Sequence, residues 1–153
     1  MEEKLEEKKS PFLKSLDLQY HFEGAWYRRT YASDVEIPQE ILGEKYSGAR
    51  PSATCIYYLM HPGEVSRWHK IASTEIWIWQ SGGTVKLTMG GEGDQPGEGS
   101  DYILGLDIEK GQHPHVIVPP GVWQMAVNDS DEPVLFTCVV TPGFHTDEHI
   151  ILE

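Results

Sequence analysis

The sequence predicts an all-β fold: two antiparallel sheets closed into a sandwich or barrel, with one short helix near the N-terminus. Three observations point there. Apolar and polar residues alternate with period two in several runs, the pattern of a strand with one buried face. The runs are short and bounded at close intervals by glycine, proline and polar turn residues. After about residue 20, no stretch has the three-to-four spacing of an amphipathic helix. With 153 residues, 39% hydrophobic and 10% aromatic, the chain can bury one core.

Each element follows from local chemistry. Residues 1–9 are charged and mixed in sign, and are expected to form a flexible lead. Residues 10–153 are expected to form a single domain. Ser10-Pro11 starts a helix, because serine caps free N–H groups and proline fits the first turn. Phe12, Leu13 and Leu16 give it an apolar stripe to about Leu18. Residues 26–31 have strand composition, after a turn at Gly24. Residues 36–51 read as a loop, with Pro38 and Pro51 near its ends. Strands are expected at 52–60, 85–89, 102–108, 116–118, 123–127, 134–141 and 149–152. Residues 90–100 hold five glycines, a proline and three acids, and are expected to form an exposed, mobile hairpin loop.

The most informative stretch is residues 63–82. A glycine opens it and another closes it, and between them lie one histidine, two glutamates (Glu64 and Glu75) and three tryptophans. In a strand, Glu75, Trp77 and Trp79 share one face, while Ile76, Ile78 and Gln80 share the other. If residues 69–71 are extended, His69 and Ile71 also share a face. A polar pair among large aromatics is the make-up of a pocket lining. It is equally the make-up of a core strand with one satisfied glutamate.

Gly63, His69, Glu75 and Gly82 fall in the register of the first signature motif of the cupin superfamily, which this chain resembles. The motif's second histidine is Ile71 here. Residues 119–128 resemble the second motif, with Pro119, Gly121 and Asn128 in place and Gln124 where a histidine belongs. The motif's leading glycine is less well matched, since Gly111 lies two residues too far upstream. Further segments resemble one cupin branch of unknown function. They are Glu23-Gly24-Ala25-Trp26-Tyr27-Arg28-Arg29-Thr30-Tyr31, Ile56-Tyr57-Tyr58-Leu59, Ser66-Arg67-Trp68-His69, residues 118–124 and Pro142-Gly143-Phe144. The resemblance runs from about Leu16 to the C-terminus and implies a double-stranded β-helix, the cupin jelly roll.

Composition excludes some classes. A formal net charge of -12 argues against a nucleic-acid partner, since a phosphate backbone calls for clustered Lys and Arg. No apolar run approaches a membrane span, and the charged start is unlike a secretory signal, so a cytoplasmic location is expected. Cys55 and Cys138 lie in apolar strand-like runs and are expected to be buried free thiols.

The resemblance also carries expectations about chemistry. The cupin ligand set is three histidines and a glutamate. Here His69, Glu75 and Gln124 stand at those positions, so no cofactor is expected beyond a weakly held divalent metal. His113, His115, His145 and His149 read as exposed turn or tail residues. Without metal, His69 beside Glu75 can do acid–base work, with Tyr57 or Tyr58 returning a proton. That would resemble the cupin-fold sugar-nucleotide epimerases and implies an isomerase or epimerase acting on a carbohydrate or sugar nucleotide. Trp77 and Trp79 could stack on a ring, and Arg29 or Arg67 could meet a phosphate. Two alternatives stand: a non-catalytic nucleotide- or sugar-binding cupin, and a metal-dependent cupin oxygenase. His69, Glu75 and Gln124 could also be a satisfied buried polar network. The branch resemblance and the aromatic sheet edges imply a homodimer, with residues 26–31 as the shared element.

Overall fold

A computed structural model describes residues 9–152 of the chain. The charged lead lies outside the described residues, except for Lys9, whose ammonium sits 5.2 Å from the centre of the Trp26 ring. Among the described residues no helix is long and apolar enough to cross a membrane.

The strands of the described residues build two main sheets. The first has six strands: β1 (Gln19–Tyr20), β2 (Trp26–Ala32), β5 (Thr54–Met60), β12 (Val134–Thr141), β7 (Thr74–Gly82) and β10 (His115–Val118), neighbours in that order. The second has five: β13 (His149–Ile151), β6 (Val65–Ile71), β11 (Gln124–Val127), β8 (Val85–Met89) and β9 (Ser100–Leu104). A small antiparallel pair, β3 (Glu36–Ile37) with β4 (Arg50–Pro51), stands apart from both. Every pairing between these strands is antiparallel, and the non-sequential neighbours make this a two-sheet jelly roll.

Period-two burial holds the sheets face to face. In β12, Val134, Phe136, Cys138 and Val140 point inward and the residues between them are only half buried. β7 sends in Glu75 and Trp77, β8 Val85 and Leu87, and β11 Gln124 and Ala126. Trp77 meets Tyr58 and Phe136 edge-on, each at 5.3 Å between ring centres. Each such buried side chain stabilises the fold by roughly 1.5–3 kcal/mol, with the edge-to-face geometry adding to that.

Two pieces close one end of the barrel. The first is the turn at residues 21–25. Gly24 has φ 117°, and an added Cβ would overlap the Val65 carbonyl oxygen. Glycine therefore lets the turn lie flat on β6, where Arg67 N–H donates to the Glu23 carbonyl at 2.8 Å. The second is β13. It pairs with β6 so that His149 faces Ile71 and Ile151 faces His69.

Several expected boundaries move. The first helix, α1 (Phe12–Ser15), is a single turn, and Asp17 at φ 52° marks where it has ended. The expected loop at 36–51 contains β3, β4 and a second one-turn helix, α2 (Gln39–Leu42). The strand expected at 102–108 starts at Ser100 and stops at Leu104, and a 3-10 turn at Ile108–Lys110 follows. The glycine-rich loop is exposed but tied to Trp123, whose N–H donates to the Gly91 carbonyl and whose indole donates to the Gly93 carbonyl. Cys55 and Cys138 are free thiols, the first half-buried and the second buried.

Candidate functional site

A cavity of about 390 Å³ opens between the sheets at the end that residues 21–25 close. Ile56, Trp77, Val140 and Phe144 form its apolar walls. Glu23, Glu75, Tyr58 and His21 give it a polar floor, and the exposed Arg29 and Thr146 stand at its rim. An apolar cleft with a few convergent polar groups is the usual form of a small-molecule site.

Glu23 is the hub of the floor. Its Oε1 lies 2.8 Å from His149 Nε2 and 3.7 Å from His69 Nε2. Its Oε2 accepts a hydrogen bond from the Tyr58 hydroxyl at 3.0 Å, and the Tyr58 oxygen lies 2.9 Å from Ser66 Oγ. Glu75 Oε1 is 4.0 Å from His69 Nε2, an ion-pair distance too long for a hydrogen bond. His69 is buried behind both carboxylates and donates from Nδ1 to the Arg67 carbonyl at 2.7 Å.

The charges follow from this packing. Burial opposes ionisation of Glu23, but the charge on His69, with His149 and His21 alongside, outweighs it and holds the carboxyl at about 2. Burial likewise opposes a charge on His69, but Glu23 and Glu75 outweigh it and raise the imidazole to about 9. His69 is thus an imidazolium at neutral pH. His21 goes the other way, because its burial exceeds the pull of Glu23 and lowers its pKa. Its Nδ1 accepts the Glu23 backbone N–H at 3.1 Å, so the neutral ring carries its proton on Nε2. Burial first, and Glu23 second, push the Tyr58 hydroxyl well above its ordinary value, so it stays a donor.

A family profile described as "Cupin superfamily (DUF985)" matches residues 10–152. The chain belongs to the cupin superfamily. A Shewanella oneidensis protein of known structure is 31% identical, with a TM-score of 0.79 over 93% of this chain and 82% of its own. A hypothetical protein from Leishmania major is 23% identical, with a TM-score of 0.80 over 92% of this chain and 85% of its own. The oxalate decarboxylase from Bacillus subtilis shares the fold at 16% identity, with a TM-score of 0.57 over 85% of this chain and 28% of its own. None of the curated proteins matches the chain.

Within the cupin barrel the residues expected at the site separate into two groups. Glu75, Trp77, Tyr58 and Arg29 line the cavity, with His69 against its floor. The others lie elsewhere. Tyr57 points to the opposite face of β5, where Arg28 stacks on it at 5.8 Å. Trp79 shares the face of Trp77 but sits one step past the cavity, packed on the core with its indole donating to the Gly83 carbonyl at 2.8 Å. Arg67 is exposed and its guanidinium donates to the Phe22 carbonyl, outside the cavity. Gln124 is fully buried beside His69 on the neighbouring strand, and its Oε1 accepts the Trp77 indole proton at 2.8 Å. Ile71, expected to share a face with His69, does not line the cavity.

The ligand set drawn from the cupin motifs does not fit a metal. Ile71 has no donor atom, and the Gln124 oxygen is committed to Trp77. Only His69 and Glu75 remain of that set. The structure adds three residues that sequence reasoning left out: His21, Glu23 and His149. Glu23 lies inside a segment that resembles the cupin branch, and the adjoining Gly24 is the signal that its turn is special. His149 was expected to be an exposed tail residue. Its side chain is instead 1% exposed, because β13 folds back onto β6.

Proposed function

We propose that this cupin is an isomerase acting on a small, anionic, carbohydrate-type hydroxycarbonyl compound by proton transfer at Glu75. One observation carries the proposal: the Glu75 carboxylate and the His21 imidazole share the floor of an apolar cavity, with the Arg29 guanidinium at its rim. Glu75 takes the proton from the carbon next to the carbonyl. The His21 Nε2–H donates a hydrogen bond to the carbonyl oxygen as negative charge develops there, the role a neutral imidazole can fill. The proton on Glu75 then returns to the former carbonyl carbon, while the neighbouring hydroxyl gives its proton to the former carbonyl oxygen by way of the His21 ring. Arg29 meets the anionic group, as planar guanidinium groups do for carboxylates and phosphates. Glu23, held near 2, is a poor base and serves as a fixed negative charge. One competent base on one face favours isomerisation over epimerisation, which needs a donor on the opposite face.

The test is deuterium wash-in. Sugar phosphates and sugar acids are incubated with the protein in deuterium oxide, and exchange at carbon is read by proton NMR. Incorporation with at least one of them is expected, falling about 10²–10⁴-fold in Glu75→Gln, the usual span for a lost general base. A ligand that raises the melting temperature but exchanges no deuterium would make the protein a non-catalytic binder. Exchange that survives Glu75→Gln would remove Glu75 as the base.

A further inference from the structure

Three donor atoms, one each from Glu23, His69 and His149, lie within 4.8 Å of one another, and of the three residues Glu23 lines the cavity. We propose that these residues form a divalent-metal site whose donors differ from those the cupin motifs would supply. Only His69 is common to both sets. Glu23 comes from the turn before β2, and His149 from the C-terminal strand. The exchange has a structural logic. Ile71 occupies the motif position that lacks its histidine, and its partner across the sheet is His149. The imidazole returns to the same patch of sheet from the neighbouring strand.

Two of the three donors are aimed by partners outside the triad. The His69 Nδ1–H is spent on the Arg67 carbonyl at 2.7 Å, which turns Nε2 toward Glu23, and Nε2 gives up its proton when an ion binds. The Tyr58 hydroxyl holds Glu23 Oε2 at 3.0 Å, which leaves Oε1 for the cluster. His149 supplies the observation that points to a ligand. Its Nε2 is buried and has no hydrogen-bond partner among the described residues. It lies 2.8 Å from Glu23 Oε1 without the alignment of a hydrogen bond, so carboxylate oxygen and imidazole nitrogen flank a shared point. Donors held about 2.1 Å from one ion at the tetrahedral angle stand about 3.4 Å apart. The separations of 2.8 and 3.7 Å from Glu23 Oε1 bracket that value.

Two imidazoles and a carboxylate suit zinc and the other first-row divalent ions that accept nitrogen. An ion there would supply a positive charge able to polarise an oxygen bound beside Glu75. The other close group, His145, Asp147 and Glu148, is a poor competitor. Its first two members are exposed, and Glu148 is held by Arg50.

The test is zinc binding to the full chain after chelator treatment, by calorimetry and by nitrogen-15 NMR of the histidine rings. No substrate is present, so its outcome is separate from that of the isomerase proposal. One zinc per chain is expected, with the His69 and His149 ring signals moving and those of His145 and His113 unmoved. His149→Ala and Glu23→Gln should each weaken binding at least tenfold, and His145→Ala should leave it unchanged. Absence of saturable binding would overturn the site, as would binding that persists in His149→Ala or is lost in His145→Ala. Should the floor variants fail to fold, the ring signals of the wild-type protein decide. Movement of His145 instead of His149 would then reject the triad.

Discussion

Glu23 is the charge around which the cavity floor is balanced. Three imidazoles approach it, and one of them, the buried His69, carries a proton because of it. The pH dependence of the metal-free protein follows. Folding raises the pKa of His69 from 6.5 to about 9, so its contribution is complete below about pH 6.5 and is lost as pH rises through 9. Folding lowers that of Glu23 from 4.5 to about 2, so its contribution is complete above about pH 4.5 and is lost as pH falls through 2. The two shifts describe one charge pair and count once, on the order of 3 kcal/mol. Glu23→Gln should therefore lower stability near pH 7 by roughly that amount and flatten most of the alkaline decline, leaving the share due to Glu75. Urea unfolding from pH 5 to 10 measures both, and parallel profiles for the two proteins would refute the pairing. The sequence reveals this floor only in part. His69, Glu75, Trp77 and Tyr58 come from alternating strands, where parity assigns a face. Trp79 shows the limit of parity, which gives the face of a strand but not the height along it. Glu23 and His21 sit in a turn, which has no period to read.

At the level of elements, β13 decides whether the floor is complete. It is three residues long and gains little from its own ladder. Its hold comes from just before it, where Arg50 Nε and Nη2 lie 2.5 and 2.8 Å from the two oxygens of Glu148. Both side chains are 6% exposed, so this two-point pair is shielded from solvent. The hydrogen bond from Arg50 comes first among the causes that lower the Glu148 pKa. The stabilisation is therefore present above about pH 4.5, the ordinary value, and is lost as pH falls through the depressed one. Arg50→Ala should cost about 3 kcal/mol, the scale of breaking a buried pair and stranding one partner. It should also release β13, seen as faster amide exchange at residues 149–151 than in the β12 core. Uniform exchange across both strands would show that the pair does not clamp the strand. Nothing in the sequence links Arg50 to Glu148, since the contact joins a polar connector to the tail across the fold.

At the scale of the whole molecule, the jelly roll is legible because its evidence is repeated. Several strands alternate in the same way, and two spaced motifs and several shorter segments agree with them. Partner choice across the sheets is not local. A strand at the C-terminus could therefore be expected from its residues, while its pairing with β6 and the burial of its histidine could not. The outer edge of β2 raises the last question, that of assembly. β1 covers only its first two residues, so Arg28 onward has no strand neighbour on that side among the described residues. Tyr20, Phe22 and Tyr31 are exposed on or near the same segment. An open edge flanked by aromatic rings is a template for another strand, and a two-fold pairing of identical edges closes on itself. A homodimer joined along β2 is therefore expected, which would place each Arg29 near the interface. Sedimentation at micromolar concentration should give twice the 17.3 kDa chain mass. Tyr31→Lys, which puts a charge on that edge, should shift the equilibrium to monomer while leaving the far-UV spectrum intact. A monomer in the wild-type protein would reject the dimer, and a dimer that ignores Tyr31→Lys would move the interface to another edge.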